Sequence, residues 1–410
     1  MKKYGCIGKK LTHSFSKEIH QKLADYDYEL IELTEDGIDE FFTKKDFSAI
    51  NVTIPYKQTV IPYMDSMSDV AKRIGAVNTI VNKDGRLYGY NTDYYGMKAL
   101  AQKTGIEIKD KKVLVLGTGG TSKTARVLAE DMGAAEILTV SRSKSENYIT
   151  YEEAVKNHSD ARVIINTTPS GMYPDCDGVP IDIACFKKLE GVLDAVYNPL
   201  CTNFVMNAKS RGIKAECGLY MLVMQAVVAV EKFLDTEIPE TVADSVFASV
   251  FASKENIVLT GMPGSGKSTV GKLLNIDGFN FVDTDEEIEK LCGCTIKELI
   301  SSKGEKFFRD FETKVIKDVS SKGSQIISTG GGVVLREENV HYLKRNGKLF
   351  FINADFERLC PTDNRPLSDT KEKLRKLYDE RIDIYKFTAD VIVPDMTTPE
   401  EEAQFILRSR

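Results

Sequence analysis

The sequence predicts an α/β protein built from several domains. Its 410 residues correspond to two or three domains at about 150 residues each. An apolar strand that leads into a glycine-rich turn and a helix occurs twice, at residues 112–121 and 256–268. Short strands alternate with helices around both, which favours parallel, doubly wound sheets. We therefore expect an N-terminal α/β domain, a Rossmann-type domain, and a further α/β domain with a parallel sheet.

The individual strands follow from the hydrophobic pattern. Residues 28–33 alternate polar and apolar side chains, as a half-buried strand does, and residues 49–53 form another strand that Pro55 stops. The apolar runs at 112–116, 135–140 and 162–166 are typical of buried parallel strands. A helix is expected from Gly218 to about Phe233, and strands at 256–260 and 279–282.

These elements give the domain boundaries. We expect a first domain at residues 1–100, to which helices from about 218–248 return, and a dinucleotide-binding domain at 101–217. The third domain covers 255–410. The stretch from 235 to 254 is expected to be a connector that contributes to neither half's site, so the main boundary falls near residue 250.

Composition excludes some classes of protein. The chain has 55 Lys and Arg against 61 Asp and Glu, a net charge of −6, so it lacks the basic excess of a nucleic-acid-binding protein. The longest apolar stretch, residues 219–230, is far short of the ~20 residues of a membrane span. Eight cysteines are scattered without zinc spacing. We expect a cytoplasmic protein with reduced thiols, small-molecule ligands, and neither nucleic acid nor membrane as a partner.

The strongest local signal is a phosphate-binding loop. Residues 261–268 fit the pattern G-x-x-x-x-G-K-S after a predicted strand and before a predicted helix. Backbone N–H groups of such a loop point at phosphate oxygens, Lys267 reaches the β- and γ-phosphates, and the Ser268 hydroxyl binds Mg²⁺. The predicted nucleotide contacts are Gly264, Ser265, Gly266, Lys267, Ser268 and Thr269.

A second glycine-rich turn, residues 117–122, follows the strand at 112–116. Ser122 replaces the third glycine of G-x-G-x-x-G, yet the strand–turn–helix context favours dinucleotide binding. The next strand ends in Ser141-Arg142-Ser143-Lys144, without the carboxylate that would bind the ribose of NAD. A cation and hydroxyls suit the 2′-phosphate of NADP. The predicted cofactor contacts here are Gly117, Gly119, Gly120, Ser141 and Arg142.

Polar residues are dense at four predicted strand ends or turns, residues 11–16, 51–57, 75–79 and 91–96. Such density is unusual for a core and suits a cleft that binds a polyol. Together with residues 166–169, 194–199 and 218–225, these segments resemble shikimate dehydrogenase over about residues 3–245.

The resemblance to shikimate dehydrogenase implies roles for individual residues. Lys57 and Asp93 are implied to be the catalytic pair, because an ammonium stabilises and protonates the alkoxide that hydride transfer to a ketone produces. The implied substrate contacts are Ser14, Ser16, Thr53, Asn78, Tyr197 and Gln225. Thr167 and Gly218 are implied to contact the cofactor.

The order and spacing of motifs from about residue 256 onward resemble shikimate kinase. The resemblance implies that Asp285 takes or orients the proton of the attacking hydroxyl and that Asp283 holds Mg²⁺. Arg365 is implied to close over the transferring phosphoryl group, and Arg358 to lie near the adenine. The implied substrate contacts are Arg309, Gly331, Gly332 and Arg381.

The two resemblances imply a bifunctional enzyme. Its first half would reduce 3-dehydroshikimate to shikimate with NADPH, and its P-loop kinase domain would phosphorylate shikimate with ATP and Mg²⁺. Two alternatives stay open at this point. The first half could prefer quinate, or the chain could be a regulator that senses these metabolites without catalysis. The presence of Lys57, Asp93, Lys267, Ser268 and Asp285 argues against the regulator.

Overall fold

The computed structural model describes residues 3–11, 15–359 and 370–410. Its contacts divide the chain into two compact units, Met1–Val250 and Phe251–Arg410. Both units are layered α/β structures, so the predicted fold class is confirmed. Within the described residues, no helix is long and apolar enough to cross a membrane.

The first part of unit one contains a mixed sheet, with both parallel and antiparallel strand pairs. Its elements are β1 Tyr4–Gly8, α1 Ser16–Leu23, β2 Tyr28–Glu32, α2 Gly37–Lys44, β3 Ala49–Val52, β4 Ser66–Met67, α3 Asp69–Ile74, β5 Thr79–Lys83, β6 Arg86–Tyr90 and α4 Asp93–Thr104. In the described chain these strands pair in the order β2-β1-β3-β5-β6-β4. Because β5 runs antiparallel to β3, the end of β3 and the start of β5 lie at one edge of the sheet.

The second part of unit one is a doubly wound sheet. Its elements are β7 Lys112–Leu116, α5 Gly120–Asp131, β8 Glu136–Ser141, β9 Ile149–Thr150, α6 Tyr151–Asn157, β10 Val163–Asn166, β11 Gly191–Asp194, α7 Asn203–Lys209 and β12 Lys214–Glu216. The described strands pair in the order β12-β11-β10-β7-β8-β9, all parallel. Parallel strands bring the ends of β7, β8 and β10 to one edge, where such folds bind ligands.

Two further helices follow, α8 (Leu219–Leu234) in unit one and α9 (Glu240–Lys254), most of which lies in unit one. The helix α8 packs against α4 and α1 of the first part. Gly96 allows the close approach of α4, because a side chain there would strike the carbonyl of Met221. This packing brings the first turn of α4 beside the first two turns of α8.

The helix α9 extends beyond the expected end of helix near residue 248. It runs to Lys254, because no glycine or proline interrupts residues 240–254. Ala243, Val246 and Val250 are buried, and Phe247 packs edge-on against Tyr220 with ring centroids 5.1 Å apart. Most of the stretch expected to be a connector is therefore an ordered helix.

Unit two contains a parallel sheet. Its elements are β13 Asn256–Thr260, α10 Lys267–Leu273, β14 Asn280–Asp283, α11 Thr284–Cys292, α12 Ile296–Lys303, α13 Glu305–Ser321, β15 Gln325–Ser328, α14 Glu337–Lys344, β16 Gly347–Ile352, α15 Lys371–Thr388, β17 Val391–Val393 and α16 Pro399–Arg408. The described strands pair in the order β14-β15-β13-β16-β17, all parallel. The ends of β13, β14 and β15 therefore share one edge.

Candidate active sites

A cavity of about 520 Å³ in unit one, here called the first cavity, lies at the shared edge of β3 and β5. Eight residues predicted from the sequence line it: Ser16, Thr53, Lys57, Asn78, Asp93, Tyr197, Gly218 and Gln225. They come from six separate segments of the chain, which the close packing of α4 and α8 helps to bring together. Ser14, a further predicted contact, lies outside the described residues.

Lys57 and Asp93 form an ion pair in the wall of the first cavity. The Lys57 Nζ atom lies 2.6 Å from Asp93 Oδ2, and the two side chains are 17% and 12% exposed. Asp93 is the first residue of α4, so its position is fixed by the packing of that helix. A largely desolvated pair of this kind holds the ammonium group in one place.

A hydrogen-bonded network of amides and hydroxyls adjoins this pair through Thr92, the residue before Asp93. The Asn78 amide nitrogen donates to Thr92 Oγ1 over 3.1 Å, and Asn78 Oδ1 accepts from the backbone N–H of Thr92 over 2.7 Å. The Thr92 hydroxyl lies 3.3 Å from Gln225 Oε1. Two of the predicted substrate contacts are thus already oriented by neighbouring side chains.

A larger cavity of about 1000 Å³, the second cavity, lies at the ends of β7, β8 and β10. The predicted cofactor contacts that line it are Gly117, Gly119, Gly120, Ser141, Arg142 and Thr167. Lys57 and Thr121 line both the first and the second cavity. Lys57 therefore lies where the two cavities meet.

The two cations singled out at the end of β8 have different surroundings. Arg142 lines the second cavity beside Tyr151, and the Arg142 charge partly offsets the rise in the pKa of Tyr151 that burial causes. Lys144 instead forms an ion pair with Glu153 and does not line the cavity. Of the two, only Arg142 is positioned to meet a ligand in the second cavity.

A buried carboxylate supports the segment that carries Tyr197. Asp194, at the end of β11, accepts hydrogen bonds from Asn166 Nδ2 (2.9 Å), Val196 N (3.0 Å) and Thr202 Oγ1 (2.8 Å). Burial raises the pKa of Asp194 to about 6 despite these bonds. The Val196 carbonyl in turn accepts the N–H of Gly218 over 2.8 Å. Asp194 thus ties together two segments that line the first cavity.

Unit two contains the third cavity, of about 450 Å³, at the shared edge of β13, β14 and β15. It is lined by eleven of the residues predicted from the sequence: Gly264, Gly266, Lys267, Ser268, Thr269, Asp283, Asp285, Arg309, Gly331, Gly332 and Arg381. The phosphate loop and the residues attributed to the second substrate therefore face the same space.

The phosphate loop folds over its own lysine. The Lys267 Nζ atom donates to the carbonyls of Gly261 (3.0 Å) and Met262 (2.8 Å). Ser265 lies 3.5 Å from the same ammonium group and does not line the third cavity. Lys267 is buried, so its charge is held close to the loop, where a phosphate would lie.

Oxygen donors suited to Mg²⁺ lie beside this loop. The Ser268 hydroxyl donates to Asp283 Oδ2 over 2.5 Å and lies 3.1 Å from the Ser328 hydroxyl. Hydroxyl and carboxylate oxygens are the ligands that Mg²⁺ prefers, with phosphate and water completing its coordination. Among the described residues, no cluster of three or more His, Cys, Asp or Glu forms a metal site by itself. The residues fit a metal that arrives with the nucleotide.

Two arginines face the third cavity with different partners. The Arg309 guanidinium contacts Glu312 through two bonds of 3.0 and 2.8 Å. Burial raises the pKa of Glu312, and the Arg309 charge opposes that rise. Arg381 is only 6% exposed, and within the described part of the chain its guanidinium has no carboxylate at ion-pair distance. A buried guanidinium without a counter-ion is a good site for an anionic ligand.

The glycine loop after β15 packs against these groups. A side chain at Gly332 would overlap the Arg309 guanidinium, and one at Gly330 would lie 2.6 Å from Asp285 Oδ1. The loop backbone can therefore approach whatever Asp285 and Arg309 bind. The close approach of the backbone to Asp285 and Arg309 explains why Gly330 and Gly332 carry no side chain.

Besides Ser265, one other described residue predicted for unit two, Arg358, does not line the third cavity. Arg358 contacts Asp395 and the carbonyl of Met396. Arg365 lies outside the described residues. The role assigned to each stays a prediction.

Sequence reasoning missed several lining residues, among them Asn51 and Thr121 in unit one and Glu312 in unit two. Asn51 lies two residues before Thr53 on the same strand end, so the period of the strand could have indicated it. Glu312 follows Arg309 by three residues, a spacing that places both on one helix face.

Comparisons with known proteins agree with both halves. A family model described as shikimate kinase matches residues 263–409, and one described as shikimate dehydrogenase substrate binding domain matches residues 6–80. A shikimate dehydrogenase (NADP(+)) of Clostridium perfringens is 39% identical over 271 residues, which covers 60% of this chain and 97% of the relative.

Solved structures give the same result for the first unit. A chorismate mutase/shikimate 5-dehydrogenase fusion protein from Clostridium acetobutylicum is 35% identical with a TM-score of 0.58, covering 61% of this chain and 97% of that one. Shikimate 5-dehydrogenase from Thermus thermophilus, in complex with NADP(H) and shikimate, is 26% identical with a TM-score of 0.55, covering 61% and 99%.

A dinucleotide-dependent dehydrogenase joined to a phosphate-loop kinase is the class of enzyme that this fold and these cavities define. The chain belongs to the shikimate dehydrogenase (NADP+) family, and its second unit carries a shikimate kinase domain. It is a bifunctional enzyme of the shikimate pathway, and the resemblances stated from the sequence are confirmed.

Proposed function

We propose that unit one reduces 3-dehydroshikimate to shikimate with NADPH and that unit two transfers a phosphoryl group from ATP to the 3-hydroxyl of shikimate. The observation that carries the proposal is the position of Lys57, which lines both cavities of unit one and is paired with Asp93. An ammonium at that junction is within reach of both a cofactor and a substrate.

In unit one, Lys57 would act on the carbonyl oxygen of the substrate. Bound NADPH would supply the hydride. Lys57 stabilises the negative charge that develops on the oxygen and then donates a proton to it. Asp93 keeps the Lys57 ammonium group oriented through their 2.6 Å contact. Ser16, Thr53 and Gln225 line the same cavity and would hold the carboxylate and hydroxyls of the substrate.

In unit two, Asp285 would accept or orient the proton of the attacking hydroxyl. Lys267 and the loop N–H groups would bind the phosphates of ATP, and Ser268 and Asp283 would hold Mg²⁺, which neutralises phosphate charge. Arg309 and Arg381 would bind the substrate carboxylate, for which planar guanidinium groups have the right geometry. Arg365 is assigned to the phosphoryl group on the resemblance alone.

We also propose that the two activities are independent, within the domain boundaries predicted from the sequence. Each of the three cavities is lined by residues of one unit only. No residue of α9, which spans residue 250, lines any of them. Loss of one activity should therefore leave the other intact.

The test uses the intact chain and two variants. Unaltered protein should oxidise NADPH with 3-dehydroshikimate and should phosphorylate shikimate with ATP and Mg²⁺. Lys57→Ala should abolish only the first reaction and Lys267→Ala only the second. A chain that binds these metabolites without turnover would be a sensor, and faster turnover of quinate than of shikimate in the reverse direction would change the substrate. Either result contradicts the proposal.

A further inference from the structure

Two side chains of α15 converge on one carbonyl in the third cavity. The Arg381 Nη1 atom donates to the Gly331 carbonyl over 3.1 Å, and the Tyr385 hydroxyl donates to the same oxygen. Arg381 and Tyr385 are four residues apart, so they lie one above the other on the helix. Both are buried, with 6% and 1% of their surface exposed.

The Gly331 carbonyl belongs to a tightly confined loop. A side chain at Gly331 would lie 2.9 Å from the ring of Pro263 in the phosphate loop. The neighbouring Gly330 N–H donates to Thr284 Oγ1 over 3.0 Å. The loop is therefore held from three sides, by the phosphate loop, by α11 and by α15. A shift of the Gly331 carbonyl would move the groups bonded to it.

The ring of Tyr385 has support that does not depend on its hydroxyl. It stacks on Phe351 with ring centroids 5.1 Å apart and an interplanar angle of 6°. Burial raises the pKa of Tyr385 to about 12, although the Arg381 charge beside it opposes the rise. The hydroxyl is therefore protonated near neutral pH and available as a donor.

We propose that Tyr385 is a positioning residue for carboxylate binding: its hydroxyl fixes the Gly331 carbonyl, and that carbonyl fixes the guanidinium of Arg381. The inference rests on the proposed function, in which Arg381 binds the carboxylate of shikimate. One N–H of the guanidinium is used by the carbonyl, and the others remain for the ligand. Arg381 has no carboxylate partner among the described residues, so its orientation is set by the Gly331 carbonyl and by the Tyr385 hydroxyl, which also interacts with the guanidinium directly.

The proposal predicts a selective effect of Tyr385→Phe in the full chain. The variant keeps the stacked ring and loses one buried hydrogen bond. The KM for shikimate should rise about five- to tenfold, the expected range for a lost orienting bond. The kcat and the KM for ATP should change by less than about twofold, because the groups that bind ATP do not use Tyr385. The dehydrogenase activity of unit one should be unchanged, and the unchanged kcat and KM for ATP report that unit two is folded.

A matched control lies on the same helix. Tyr378 packs edge-on against Phe356, with centroids 5.5 Å apart, and its hydroxyl has no hydrogen-bond partner among the residues described. Tyr378→Phe removes the same atom without removing a bond, so its KM for shikimate should stay within about twofold of the unaltered enzyme.

A double-mutant cycle distinguishes a role of Tyr385 in positioning Arg381 from a general destabilisation of unit two. If Tyr385 acts through Arg381, Tyr385→Phe should add no further increase in KM for shikimate in an Arg381→Ala background. Full additivity would overturn the inference, as would a parallel rise in the KM values for shikimate and ATP. If Arg381→Ala raises the KM for shikimate and Tyr385→Phe does not, the inference fails and the proposed function stands. If Arg381→Ala leaves that KM unchanged, both fail.

Discussion

The replacement Asp194→Asn probes how unit one holds the walls of its first cavity. The Asp194 carboxylate is fully buried and accepts three hydrogen bonds, two of them on Oδ1. Asparagine can keep the Oδ1 bonds from Asn166 and Val196, and its amide can donate to the Thr202 hydroxyl instead of accepting from it. The fold and the dehydrogenase activity should therefore persist near neutral pH.

The magnitude follows from the ionisation of this buried group. Burial raises the pKa of Asp194 from 3.8 to about 6. A pKa difference of about 2 between folded and unfolded chains corresponds to about 3 kcal/mol. Because the folded-state pKa is the higher one, protonation favours the folded state. The contribution of Asp194 protonation to the free energy of unfolding is fully present below about pH 4. It is lost as the pH rises through about 6.

The assay is denaturant unfolding of the intact chain at a series of pH values from 4 to 7. The free energy of unfolding of the unaltered chain, minus that of Asp194→Asn, should fall by up to about 3 kcal/mol across this range. Asp36→Asn, at an exposed aspartate without a side-chain cap bond, is the control and should give a nearly constant difference. A flat difference for Asp194→Asn as well would refute the reasoning.

Three further replacements test the sites directly. Lys57→Ala should lower the kcat of NADPH-dependent reduction by about a hundredfold or more, with a smaller change in KM and unchanged kinase activity; near-normal kcat would remove Lys57 from the mechanism. Arg142→Ala should reduce the preference for NADPH over NADH about tenfold in kcat/KM, and an unchanged preference would exclude Arg142 as the 2′-phosphate contact. Gly332→Ala should displace the Arg309 guanidinium and raise the KM for shikimate about tenfold or more, whereas Gly37→Ala, where a side chain meets nothing closer than 3.6 Å, should leave it unchanged.

The strands that were predictable from the sequence are those with continuous apolar runs. The strands β7 and β13 have the predicted bounds, because a parallel strand covered on both faces must be apolar throughout. The candidate residues were predictable for a related reason. Most follow a strand end, and parallel strands bring their ends together at one edge.

The remaining features depend on contacts between distant segments. No local pattern shows that Lys144 would pair with Glu153, so that only Arg142 of these two cations lines the second cavity. The bonds from Asn166 and Thr202 to Asp194 join residues separated by 28 and 8 positions. Such pairings are set by packing between elements, which local periodicity does not encode.

The glycine loop after β15 was only partly predictable from the sequence. Its sequence, residues 330–332, indicates a close approach of the backbone to a ligand. Which groups it approaches, Arg309 on one side and Pro263 on the other, became clear only from the folded unit.

The central claim is that one chain performs two consecutive reactions. The most direct measurement supplies the intact protein with 3-dehydroshikimate, NADPH, ATP and Mg²⁺, and follows NADPH oxidation together with the phosphorylated product. The account predicts that shikimate 3-phosphate forms and that one NADPH is oxidised for each phosphoryl group transferred once shikimate no longer accumulates. NADPH oxidation without a phosphorylated product, or no oxidation at all, would contradict it.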